Sequence, residues 1–421
     1  MTVSIHKVAV IGLGRVGLPF AVSLHEAGFQ IVGIDTNEAW IARLAQGGDF
    51  PFHEPGFDTL PEISDSWTVR NGLGDGADVD AVIVTVGTPL DSNLTPNLGP
   101  IKRVIDSLHA DLARGTLLIF RSTLGLGVTR ALSKYLVRTG ACKDGEPLIA
   151  YCPERLAEGK ARVEIATLPQ IISAANDTSY ALCEQIFSRS APRLHRVSFR
   201  QAELIKLLCN TSRYMNFAVS NWVHEFVLDQ GIDPHTLLEI ANDGYPRPIP
   251  DRPGFTAGTC LRKDYGLLVQ DRVLGDFAIA AWRVNERQPL SLLDTAKRHV
   301  DLTDKTVAIL GVGFKKDVDD IRDSLALKLA ELLLPESEHV IYQDPYLVDQ
   351  SIELGLTPLN GVPMEQVRDK ADVIFIGANH SEYEDLGQQI RDWPQDRRRV
   401  IIDIWNVTGF KQTVTILEPQ T

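Results

Sequence analysis

Short β-rich runs recur along this chain at spacings that leave room for a helix between them. The first series is Val8–Ile11, Ile31–Ile34, Ala81–Val86, Leu117–Arg121, Leu148–Tyr151 and Gln170–Ile172. Strands that alternate with helical stretches predict a parallel, doubly wound sheet with helices on both faces. The alternation restarts at Thr306–Leu310, His339–Tyr342, Asp372–Ile376 and Val400–Ile404, with an apolar helix from Ser324 to Leu334 between the first two. Between the two series, Gln201 to Asp229 contains no Pro or Gly and places Leu204, Leu208, Met215 and Val219 at helical spacings. The expected fold is therefore α/β: two Rossmann-like doubly wound parallel-sheet domains joined by a central helical domain with a long spine helix. The boundaries are expected at 1–200, 201–300 and 301–421.

Length agrees, since 421 residues exceed the usual single core of ~100 to 200. With 44% hydrophobic and 23% charged residues, the chain is neither disordered nor fibrous. A net charge of −13 argues against nucleic acid as a partner. Much of the acidity falls late, with 12 basic and 22 acidic side chains in residues 301–421. The five cysteines, Cys142, Cys152, Cys183, Cys209 and Cys260, are odd in number and contain no C-x-x-C pair, as expected for reduced thiols. No apolar run approaches ~18 residues, and Met1 to His6 leads straight into a strand. A cytoplasmic protein without membrane contact is expected.

Gly12-Leu13-Gly14-Arg15-Val16-Gly17 follows the first strand and opens a helix with Val16, Phe20 and Leu24 on one face. Glycines are needed where a tight turn brings backbone N–H groups against a pyrophosphate at a helix N-terminus. The bare pattern also serves as a plain strand-turn-helix, but its second half is present: Asp35 ends the next strand, 23 positions after Gly12, where a carboxylate meets ribose hydroxyls. Thr36 and Asn37 follow with no arginine for a 2′-phosphate, which favours NAD over NADP. Trp40 is either an adenine-side wall or packing. The third region opens similarly at Gly311-Val312-Gly313, but Lys316 stands at the third glycine position, so Lys315 and Lys316 suggest a different nucleotide or phosphate ligand, or a solvated pair.

Arg252-Pro-Gly-Phe255-Thr-Ala-Gly258-Thr-Cys260 runs into a helical pattern that includes Lys263 and Asp264. In the first turn of a helix, orphan N–H groups favour a thiolate; the bland alternative is an inert buried thiol. Lys206 and Asn210, at i and i+4 on the spine, suit an oxyanion, or else are a snorkelling lysine beside an ordinary amide. Gly87-Thr88-Pro89, Ser122-Thr123 and Pro153-Glu154-Arg155 through Glu158-Gly159 lie at strand ends, where α/β sheets bind ligands.

These residues, together with Glu54-Pro-Gly56, Ala202-Glu-Leu-Ile-Lys206 and Gly313-Phe314-Lys315 to Asp319-Asp-Ile-Arg322, resemble the UDP-glucose/GDP-mannose dehydrogenase family across essentially the whole chain. The resemblance implies NAD-dependent oxidation of C6 of a nucleotide sugar to a carboxylate. It implies Cys260 as nucleophile, Lys206 and Asn210 at the reacting oxygen, Asp264 with Glu154 for water and protons, and Thr123 on the nicotinamide side. Ser122, Glu158, Lys263 and Arg322 match cofactor-lining positions, and Phe314 and Lys315 substrate-binding ones. Arg155, Phe255 and Gly258 fall within the substrate-side motifs, and Arg247 or Arg252 matches an arginine offered to a neighbouring subunit of a homodimer. Tyr151-Cys-Pro-Glu-Arg155 and Tyr245-Pro-Arg247 resemble the UDP-N-acetylhexosamine branch more than enzymes for UDP-glucose or GDP-mannose. The family's Gly-Gly-Ser before the cysteine is Ala257-Gly258-Thr259 here, and its Asp-x-Arg near the C-terminus is Asp403-Ile-Trp405. Two other readings fit fewer residues: a two-electron hydroxyacid-type dehydrogenase leaves Cys260 and the third region unexplained, and a non-catalytic nucleotide sensor needs no thiol.

Overall fold

The computed structural model describes residues 4–72, 78–88, 97–256, 261, 264, 266–268, 275–348, 350–355 and 357–419. Two compact units emerge, Met1–Cys209 and Asn210–Thr421, and the division falls inside the spine helix, Phe199–Asp229.

The first unit holds an eight-stranded sheet: β1 (Lys7–Ile11), β2 (Gln30–Ile34), β3 (Trp67–Arg70), β4 (Ala81–Val84), β5 (Leu117–Phe120), β6 (Ile149–Tyr151), β7 (Gln170–Ala174) and β8 (Leu194–Arg196). Their order is β3-β2-β1-β4-β5-β6-β7-β8, so the chain winds outward from β1 and returns to β4 on its other side. That reversal leaves a crevice at the carboxyl ends of β1 and β4, the usual ligand position in such sheets. Val8 and Val10 enter the core on one face of the sheet, Ala9 and Ile11 the core on the other. A strand covered on both faces must be apolar at every position, which is why β1 was legible as a continuous run.

The second unit holds seven strands: β9 (Thr306–Leu310), β10 (His339–Gln343), β11 (Ser351–Leu354), β12 (Thr357–Gly361), β13 (Val373–Ile376), β14 (Arg399–Ile402) and β15 (Val414–Leu417). Their order is β11-β12-β10-β9-β13-β14-β15. The expected strands lie within two residues of their predicted ends. Three pairs depart from the parallel expectation: β6 with β7, β11 with β12 and β14 with β15 are antiparallel. The last two close the edges of the second sheet.

The spine helix begins two residues before its predicted start. Ser198 Oγ accepts from Gln201 N at 3.3 Å while Gln201 Oε1 accepts from Ser198 N at 2.9 Å, a reciprocal cap that fixes the N-terminus. At ~1.5 Å per residue its 31 residues span about 46 Å. Among the described residues no helix is long and apolar enough to cross a membrane, and Cys142, Cys152, Cys183 and Cys209 carry no disulfide.

Candidate active site

The glycine loop after β1 has a distinct reason for each glycine. Gly12 has φ +96°, and its carbonyl accepts from Thr85 Oγ1 at 2.6 Å. A Cβ on Gly17 would lie 1.9 Å from Gly12 O, so the helix Gly17–Glu26 can approach the loop only as glycine. A Cβ on Gly14 would meet nothing within 4 Å, so that glycine leaves space toward the crevice. Leu13 N donates to Asp35 Oδ2 at 2.9 Å and Asn37 N to Asp35 Oδ1 at 3.0 Å. Both oxygens keep acceptor capacity, and the residue is only half-buried. Trp40 turns out to brace the loop, its indole N–H donating to Leu13 O at 2.9 Å while its ring packs against the core. An open glycine at a helix start, with an accessible carboxylate at the next strand end, fits a dinucleotide.

Further expected residues gather at the same edge of this sheet. Arg15 pairs with Glu158 at 3.0 Å and stands 5.0 Å over the Phe52 ring. Thr88 Oγ1 donates to Thr123 O at 2.8 Å, and Ser122 Oγ to Val84 O at 3.3 Å, tying the segments after β4 and β5 together. Gly87 faces open space.

Glu154 is buried and its oxygens are occupied. Arg121 donates to Oε2 through Nε, at 3.0 Å, and through Nη2, while Arg155 N and Leu156 N donate to Oε1 at 2.7 and 2.9 Å. Arg155 itself donates to Pro169 O. Arg121 was not singled out from sequence. It is 3% exposed, stacked 4.1 Å over Phe20 and 5.3 Å from Phe187, and bonded to Gln170 Oε1 at 3.0 Å. Two other carboxylates also escaped notice as anchors. Glu54 accepts from Gly159 N and Ala161 N at 2.9 and 2.8 Å, capping the helix Ala161–Thr167 and fixing Glu158 beside it. Glu203 accepts from Gly127 N and Thr129 N at 2.7 and 2.9 Å, capping the helix Val128–Thr139 one turn before the buried Lys206. Their only sequence signal was membership in motifs whose roles were not yet assigned.

In the second unit Asn210 Nδ2 donates to Asp264 Oδ2 at 2.5 Å, and Asp264 is fully buried. Phe255, Phe314 and Trp405 join one core, so the loop at 252–256 and the turn after β9 share packing. Asn221 clamps Gly254 at both ends, accepting from its N–H at 2.7 Å and donating to its carbonyl at 3.0 Å. Lys315 is half-buried, and Arg322 folds back on Asp320 at 2.9 and 3.0 Å. Arg247 lies exposed over Tyr245, and Arg252 is exposed. Pro89, Gly258, Cys260 and Lys263 lie outside the described residues.

Sequence models of the UDP-glucose/GDP-mannose dehydrogenase family match in chain order: its NAD binding domain over residues 6–191, its central domain over 200–284 and its UDP binding domain over 308–410. The UDP-N-acetyl-D-mannosamine dehydrogenase of Pyrococcus horikoshii is 29% identical over 95% of this chain and 96% of its own. The UDP-N-acetyl-D-glucosamine 6-dehydrogenase of Pseudomonas aeruginosa is 28% identical over 91% and 92%. A solved structure of UDP-D-ManNAc dehydrogenase from Pyrococcus horikoshii superposes with TM-score 0.80 at 26% identity, covering 95% of this chain and 96% of that one. Three domain models in their family order, over a glycine loop shaped for a dinucleotide, place this chain in the UDP-glucose/GDP-mannose dehydrogenase family, as an NAD-dependent oxidoreductase.

Proposed function

We propose that the protein oxidises the C6 hydroxyl of a UDP-N-acetylhexosamine, UDP-ManNAc or UDP-GlcNAc, to the uronate in a four-electron reaction through Cys260. The observation that carries this reading is the bond from half-buried Asn210, one helical turn after Lys206, to fully buried Asp264, four positions after Cys260. Gly12–Gly17 and Asp35 would hold NAD, which when bound would supply the hydride acceptor, one molecule for each of the two oxidations. Lys206 and Asn210 stabilise the C6 oxygen as its proton leaves. The Cys260 thiolate adds to the aldehyde carbon, so that no free aldehyde escapes, and after the second oxidation the carbon is a thioester. Asp264 takes a proton from the water that attacks this carbon; the C–S bond breaks and the thiolate is restored. One sugar alcohol, two NAD and one water thus give one carboxylate, two NADH and three protons. Glu154, whose oxygens already accept four N–H donors, serves by shaping residues 153–156 against the substrate.

The sugar assignment is supported by Tyr151–Arg155, by Tyr245–Arg247 and by relatives named for UDP-N-acetylhexosamines. Activity with only UDP-glucose or GDP-mannose among the four nucleotide sugars would overturn it. Two NADH per sugar and inactivity of Cys260→Ala are expected; a ratio of one, or an active Cys260→Ala, would refute the thioester route.

We assign NAD to residues 1–200, catalytic and dimer contacts to 201–300 and the nucleotide sugar to 301–421. Reduced thiols suit the cytoplasm. The spine helix exposes Trp222 and Phe226 at 55% and 54%, their rings stacked 5.9 Å apart, a stripe that suits a homodimer. Trp222→Glu with Phe226→Glu is expected to halve the mass measured by light scattering, and an unchanged mass would place the dimer contact elsewhere.

A further inference from the structure

In the second sheet β9 lies between β10 and β13. The chain leaving each of these neighbours therefore passes beside the long turn after β9, residues 311–324, which carries Phe314 and Lys315. From the β10 side Asp344 accepts Val312 N at 2.8 Å and Gly313 N at 3.1 Å, pinning the start of the turn. From the β13 side His380 reaches its tip: Asp317 N donates to His380 Nδ1 at 2.9 Å. Because Nδ1 accepts an amide N–H, the ring proton sits on Nε2 and is donated to Asp344 Oδ2 at 3.2 Å. His380 thus joins the anchor at the start of the turn to the anchor at its tip, and the side chains of the pair are both fully buried. Ser381 adds two bonds to the Asp317 carboxylate, from N at 2.6 Å and from Oγ at 2.7 Å. Asp317 needs this support, since its φ of +56° is a left-handed conformation that a residue with a Cβ adopts at a cost. Between the anchors Phe314 N donates to Asp320 O at 2.8 Å, closing the neck of the turn.

We infer that His380 is a positioning residue for nucleotide-sugar binding: its ring, bonded at both nitrogens, holds the 312–317 turn in the shape that presents Phe314 and Lys315. This rests on the reading that those two residues meet the nucleotide sugar. Calorimetric titration with UDP alone, beside KM values for nucleotide sugar and for NAD, tests it on the full-length protein. His380→Ala should weaken UDP binding and raise the sugar KM about tenfold, as expected for loss of a buried hydrogen-bond pair, and leave the NAD KM within about twofold. His380→Asn, whose Oδ1 can stand in for Nδ1 toward Asp317, should recover most of the UDP affinity; His380→Gln, which reaches only toward Asp344, should not. The exposed Ser381→Ala, which spares the core, should weaken UDP about threefold. UDP affinity and sugar KM unchanged in His380→Ala and Ser381→Ala would overturn this inference alone, as would equal loss in the Asn and Gln variants. A wild-type protein that binds no UDP would overturn the reading beneath it as well.

Discussion

Two glycines three positions apart should fail in opposite ways. Alanine at Gly17 puts a methyl 1.9 Å from Gly12 O and 2.5 Å from Thr85 Oγ1, and neither can give way freely, because Thr85 Oγ1 is itself bonded to Gly12 O at 2.6 Å and to Ile11 O at 3.0 Å. Relief requires the helix start to retreat by about 1 Å or more. Overpacking of about 1–3 kcal/mol, with about 1 kcal/mol for a strained hydrogen bond, gives roughly 2–4 kcal/mol. For a unit of this size that is a fall in melting temperature of about 5–15 °C. Alanine at Gly14 meets nothing within 4 Å and should leave stability within about 0.5 kcal/mol. On the proposed placing of NAD, its methyl instead fills space that the pyrophosphate needs. Loss of one charge-assisted contact, about 1.5–3 kcal/mol, predicts NAD binding weakened about 10- to 150-fold. Calorimetric melting and NAD titration on the two variants measure both quantities. Unchanged NAD affinity in Gly14→Ala would refute the placing of the cofactor on this loop. An unchanged melting temperature in Gly17→Ala would refute the packing argument.

Arg121→Met leaves Glu154 buried with its backbone donors only, and should cost about 3–5 kcal/mol in denaturant unfolding; a loss under about 1 kcal/mol would mean the pair is not the anchor its burial indicates. Asp264→Asn should keep both oxidations but stall hydrolysis, giving a burst of two NADH per site, a steady rate about 10²–10⁴-fold lower, and a sugar thioester visible by intact-protein mass; turnover within tenfold of wild type would assign the proton elsewhere. Burial, with His235 beside it, lowers the pKa of His224 to about 3. The unfolded chain, near 6.5, then takes up the proton first, so the stability from neutral His224 is complete above about pH 6.5 and drains away as pH falls toward 3. Its size is on the order of a few kcal/mol. His224→Gln should flatten the pH dependence of unfolding between about pH 6.5 and 4, and a slope equal to wild type would exclude His224 as its source.

What sequence made legible was local. β1 and β9 showed as apolar runs because both faces of each are covered, and the glycine loop showed because its requirements lie within six residues. The strand Thr357–Gly361 carries Pro358, Asn360 and Gly361 and has no β signal of its own; it is a strand because β10 and β11 pair with it. Arg121 was silent because its partners, Phe20, Glu154, Gln170 and Phe187, are scattered over 168 positions of sequence. Glu203 stood only as a member of the motif Ala202–Lys206, because the helix its carboxylate caps lies more than seventy residues earlier. Trp40 was read between two roles, and what decided it, a bond to Leu13 O, spans 27 residues.

With NAD assigned to the first glycine turn and the nucleotide sugar to the second, as proposed, the two turns differ in how each uses its acid. After β1 the turn is short, five residues from Gly12 to the helix at Gly17, and glycine geometry with single hydrogen bonds from Thr85, Trp40 and Leu13 N shapes it. Asp35 at the neighbouring strand end therefore contributes one oxygen to Leu13 N and stays open to a ribose. After β9 the turn runs from 311 to the helix starting at Leu325, too long to hold a shape by itself, and the matching carboxylate, Asp344, is drawn inward to hold it. Asp344 accepts Val312 N, Gly313 N and His380 on one oxygen and Tyr346 N on the other. Burial alone would raise its pKa, but the bond from His380, with those from Tyr346 and Val312, holds it below the ordinary value. A ribose would have to displace those donors from a fully buried group. The second turn is thus closed to a dinucleotide by the same acid that opens the first to one, and the length of the turn decides which use the acid has.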